Sequence, residues 1–80
     1  MNLELYQRVV LTVDQPQYNL KKGDIATLVD VIPHPTGREN GYILEVFNAK
    51  GESIAVISLP QSQVEPIPDN ALLSVRLLAA

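Results

Sequence analysis

The sequence predicts an all-β domain, a small antiparallel barrel or rolled sheet of about five strands with a short helical turn near the C-terminus. Three observations predict it. Val9, Leu11 and Val13 alternate with Arg8, Thr12 and Asp14, the period of a half-buried strand. Residues 25–32 form an apolar run rich in β-branched side chains, preceded by the corner Lys21-Lys22-Gly23-Asp24, which is how a tight turn feeding a central strand is written. The stretches between such runs hold Gly, Pro and Asn, so turns rather than long helices connect them.

The first strand is expected over residues 6–14. Residues 15–19 follow as a loop, because Pro16 removes a ladder donor and Asn19 tolerates turn geometry. Gly23 is expected at positive φ. The second strand, residues 25–32, has apolar residues on both faces at Ile25, Leu28, Val29, Val31 and Ile32, which implies burial on both sides or a bulge near Ala26. Residues 33–41 carry two prolines and two glycines, so they form an exposed connection. A hairpin of residues 42–47 and 53–59 comes next, closed by Asn48-Ala49-Lys50-Gly51-Glu52. Residues 61–66 suit a single helical or 3₁₀ turn, with a short extended piece at Ile67. Residues 1–68 thus make the barrel domain, and residues 69–80 an apolar tail packing on the barrel or on a partner. That tail reads as a strand, with Leu73, Val75 and Leu77 alternating against Ser74 and Arg76, or as a helix capped by Asp69 or Asn70; the extended form is preferred.

Composition narrows the function. Eighty residues, 46% of them hydrophobic, supply one modest core. With no cysteine and one histidine, neither a disulfide framework nor a zinc site is expected, and no cofactor is inferred. No apolar run reaches the ~18 residues of a membrane span, so the expected location is the cytoplasm. Six scattered basic residues against nine acidic ones give a net charge of −3, without the basic stripe of a nucleic-acid binder.

The segments Arg8-Val9-Val10-Leu11, Tyr18-Asn19-Leu20-Lys21-Lys22-Gly23-Asp24, Tyr42-Ile43-Leu44-Glu45-Val46, Asn48-Ala49-Lys50-Gly51 and Ile54-Ala55 with Leu59-Pro60 resemble bacterial SH3-like barrels. More narrowly they resemble the uncharacterised family known as domain of unknown function 4926, over about residues 5–67. The resemblance implies an SH3-like barrel and brings with it an association with toxin-like partners, hence an antitoxin role. It departs at Ala26, where such sequences favour Gly.

No catalytic set is expected. His34 lies between two prolines, where a solvated loop histidine is the plainer reading, and no serine has a nucleophile-elbow context. Asp24, Asp30, Glu45 and Glu52 fall in turns or at outward strand positions, which suits solubility and edge protection. Lys-Lys-Gly-Asp lacks the further glycines of a phosphate loop. The chain has no Trp, which argues against an aromatic polyproline groove.

What remains is surface. If Tyr42, Leu44 and Val46 point inward, Ile43 and Phe47 point outward; if Ala55, Ile57 and Leu59 point inward, so do Ile54 and Val56 point outward. Ile43, Phe47, Ile54 and Val56 would make an apolar patch that a small monomer seldom leaves bare. Either the tail, with Leu72, Leu73, Val75, Leu77 and Leu78, folds over it, or this face or the tail docks a protein partner or a second copy. The expected function is a non-catalytic SH3-like interaction module or small accessory subunit. An antitoxin-like inhibitor is the alternative, and nucleic-acid contact through Lys21 and Lys22 comes third.

Overall fold

The computed structural model describes residues 3–78. One antiparallel sheet of five strands, β1 (Arg8–Leu11), β2 (Ile25–Ile32), β3 (Gly41–Phe47), β4 (Ser53–Pro60) and β5 (Val64–Pro66), carries the fold in the order β4-β3-β2-β1-β5. β4 and β5 are not paired with each other, so the sheet is not closed as the expected barrel would be. It is nevertheless curled, because Ile57 and Leu59 from one edge and Val64 from the other join a single core with Val9, Leu11, Leu28, Tyr42 and Leu44. Two 3₁₀ turns, Pro16–Tyr18 and Gln61–Gln63, supply the remaining regular structure.

β2 runs over the expected residues, but its irregularity is not at Ala26. Ala26 is buried and pairs regularly with Val9. The register slips instead between Leu28 and Asp30, leaving Val29 as the extra residue of a bulge. A bulge shifts the alternation by one. Leu28 and Val31, three apart, therefore both serve the core, while Asp30 is exposed. That is why the strand carries apolar residues on what a regular ladder would make two faces.

β1 is shorter than its alternation suggests. The Thr12 N–H donates to the Gln63 carbonyl (3.0 Å) and Thr12 Oγ1 to the Ser62 carbonyl (3.3 Å), which prolongs the β5 side by one step, while Val13 beyond it joins no strand and is exposed. At the corner before β2, Gly23 takes φ +92° as expected and donates its N–H to the Leu11 carbonyl (2.9 Å). The last strand lies at residues 64–66 rather than at Ile67, paired with β1 through Val64 opposite Leu11.

The β3–β4 loop is closed by two backbone hydrogen bonds, from the Asn48 N–H to the Glu52 carbonyl (2.9 Å) and from the Gly51 N–H to the Asn48 carbonyl (3.0 Å), and by one side chain. Asn48 Oδ1 accepts from the N–H groups of Lys50 and Glu52, both at 3.0 Å, and Asn48 Nδ2 donates to Glu52 Oε1 (2.9 Å). Replacing Asn48 by Ala removes all three bonds at an exposed site and is expected to cost about 1–1.5 kcal/mol. Urea unfolding reads this directly, and an unchanged midpoint would show the loop to be held by its backbone alone.

Candidate partner-binding surface

The hairpin presents its faces as the alternation requires. Tyr42, Leu44, Val46, Ile57 and Leu59 are buried, Ile43 is half-buried, and Phe47, Ile54 and Val56 are exposed, at 42%, 43% and 63% of their full surface. Val46 pairs with Ala55 but Phe47 pairs with Ser53, so Ile54 is the extra residue of a second bulge. Such a bulge bends the strand and re-aims the side chain. Across the outer face, Thr27, Glu45 and Val56 lie in one row, and Asp30, Ile43 and Ser58 in the next. Glu45, half-buried, therefore places a carboxylate among the apolar side chains. The outward alternation of Glu45 was legible; its place inside the patch followed only from the register.

The tail does not cover this patch. Pro66, the last residue of β5, and Pro68 have no N–H to extend a ladder, and the Ala71 N–H turns back to the Pro68 carbonyl (3.1 Å). From there residues 71–78 have no regular secondary structure and join no strand, so the preferred strand is not formed. Leu72 is 95% exposed and Val75 and Leu77 are each 87% exposed; Leu73 is also exposed. The tail reaches the β1–β2 corner instead, where Arg76 Nε donates to Asp24 Oδ1 (2.8 Å) and a terminal guanidinium nitrogen pairs with Oδ2. No local pattern foretells a pair joining positions so far apart.

Asp24 also accepts the Lys21 N–H at 2.7 Å. Chiefly the Arg76 hydrogen bond, and then the Lys21 N–H, hold its carboxyl below its ordinary 3.8, against a partial burial that acts the other way. A carboxyl whose value is lower in the folded chain contributes stability above its unfolded value and loses it as pH falls through the folded one. The clasp is therefore expected to hold at neutral pH and to release below about pH 4. Arg76→Ala should move the Asp24 titration, followed by carboxyl NMR, back toward 3.8; the same titration in both chains would show that the clasp is not formed in solution.

The other sequence candidates are engaged locally. His34 Nδ1 accepts the Thr36 N–H (3.2 Å) and lies 2.9 Å from Thr36 Oγ1, at an open dent that Arg38, Asn40 and Ser58 also line. Glu39 accepts from the Ser62 N–H and Oγ (3.3 and 2.8 Å). Lys21 and Lys22 are exposed beside the carboxylates of Asp24 and Asp14, each of which takes a lysine backbone N–H. Among the described residues no group of three or more His, Asp or Glu side chains is placed to hold a metal ion, and no helix is long and apolar enough to cross a membrane.

Fold and surface together define a small all-β chain with an open five-stranded sheet and an apolar outer hairpin face. The chain belongs to the family described as domain of unknown function (DUF4926), whose model matches residues 5–66. That match ends with β5 and leaves the tail outside it. No curated protein and no solved structure matches the chain.

Proposed function

We propose that this chain is a non-catalytic, SH3-like interaction module that works by protein–protein contact through the outer face of the β3–β4 hairpin. The observation that carries the reading is the exposure of Phe47, Ile54 and Val56 together, with the chain's own apolar tail directed elsewhere. Apolar side chains grouped on a rigid sheet suit a partner that buries them. Phe47 is the natural anchor, since aromatic side chains carry a large share of interface energy.

The test compares proteins captured from the native host by the wild-type chain and by Phe47→Asp, with the fold of each checked by circular dichroism. Loss of a defined bound protein in the variant supports the reading. Retention of the same bound proteins by a folded Phe47→Asp chain would remove the hairpin face as the docking surface.

A further inference from the structure

β4 is an edge strand, hydrogen-bonded to β3 on one side only, and among the described residues no backbone group pairs with its other side. Its eight residues, Ser53-Ile54-Ala55-Val56-Ile57-Ser58-Leu59-Pro60, include no charge. Edges in natural sheets are blunted by lysines, inward charges, prolines, bulges or short length. The opposite edge obeys this rule, since β5 has three residues, one of them Glu65, and ends on Pro66. On β4 the blunting devices stand only at the ends, as the bulge at Ile54 and as Pro60. The stretch between them is open.

We propose that this open edge pairs with the same edge of a second copy, antiparallel about a two-fold axis at Val56, to make a continuous ten-stranded sheet. The inference rests on the interaction-module reading and names its partner. Charge selects the second copy: a neutral apolar edge has no ion to recognise on a charged partner, and its complement is another neutral apolar edge. In a two-fold arrangement the same patch must be self-complementary. With Val56 on the axis, the two Val56 side chains meet across the strands, and Ile54 comes opposite Ser58 on both sides. Residues that face each other in an antiparallel pair project on the same side of the sheet, so the Phe47 and Ile54 of one copy extend the apolar surface begun by Ile43 and Val56 of the other. No acidic side chain is brought opposite another along the seam, although each chain carries −3.

One eight-residue edge strand from each copy makes a small interface, near the ~1,000 Å² lower bound of a specific one. An interface of that size belongs with weak, transient association, so the dimer is expected to be concentration-dependent.

Sedimentation velocity of the full chain from about 5 µM to 500 µM is expected to show the mass rising from 8.8 kDa toward twice that value. Val56→Lys places two ammonium groups on the axis and should weaken association at least tenfold. Ser58→Lys, at an exposed outward position, serves the same purpose if the first variant does not fold. A wild-type chain that stays monomeric throughout overturns the proposal, as does a dimer that survives either folded lysine variant. So does a dimer lost in Leu73→Asp/Leu77→Asp but kept in Val56→Lys, which would assign association to the tail. A monomeric wild type whose captured partner is still lost in Phe47→Asp would sink self-pairing and leave the interaction module standing.

Discussion

Leu44→Ala is expected to lower stability by roughly 3–4 kcal/mol, the largest effect of any single substitution considered for this chain. Leu44 is fully buried at the centre of β3, with Leu28 opposite it on β2 and Ile57 opposite it on β4. Removing it takes the middle member out of a row of three apolar side chains spanning three strands. Sheet neighbours on both sides are tied by ladder hydrogen bonds and cannot collapse into the space, so the cost includes most of the cavity. A chain of this length has about 4–12 kcal/mol in total, so the loss is a large fraction of it. The thermal midpoint should fall by roughly 15–25 °C. A loss below about 1 kcal/mol would mean that the sheet is packed loosely around Leu44.

Gln15→Leu is expected to cost about 2–3 kcal/mol although it adds apolar surface to a buried place. Gln15 is the one buried polar side chain among the described residues. Its Nε2 donates to Gln63 Oε1 at 2.7 Å, its Oε1 accepts from Gln17 Nε2 at 3.1 Å, and its backbone exchanges two hydrogen bonds with Leu20. The side chain thus ties the first 3₁₀ turn to the second. Leucine would leave Gln63 without its donor in a partly enclosed site, where an unmatched oxygen costs more than a hydrogen bond contributes. The sign of the coupling tests the cause. Gln15→Leu with Gln63→Leu should destabilise less than the two single changes added, because both unmatched groups are then gone. Strict additivity in denaturant unfolding would show that the amide pair does not matter.

Much of the sheet was legible because its signals are local. Residues 25–32 announced β2 by β-branched content after Gly23, and the alternation through Tyr42, Leu44 and Val46 fixed which side of β3 is inside. The outward set of Phe47, Ile54 and Val56 followed from the same period. What was not legible depends on chain segments meeting across long separations. Apolar residues on both faces of β2 signalled an irregularity, but only the pairing with β3 places it at Val29 rather than Ala26. Val13 has the right period for a strand yet joins none, because the β1–β5 pairing ends with Thr12 and Gln63, where the chain turns into the second 3₁₀ turn. Gln15 reads as a loop residue, and nothing nearby in sequence foretells its bond to Gln63. The tail alternates like a strand, but Pro66, Pro68 and the Arg76–Asp24 pair decide its course.

The placement of β1 between β2 and β5 also has a consequence for biosynthesis. Strands β2, β3 and β4 are successive neighbours and can zip together as they leave the ribosome, each closing only a short loop. Val9, by contrast, meets Pro66 only after β2, β3 and β4 have all been made. Until β5 emerges, β1 lacks its outer partner, so that pairing comes after the β2–β3–β4 meander is already made. A nascent chain stalled before residue 64 would hold a meander with its first strand half-secured, and its sensitivity to protease should drop only once Val64 has cleared the exit tunnel.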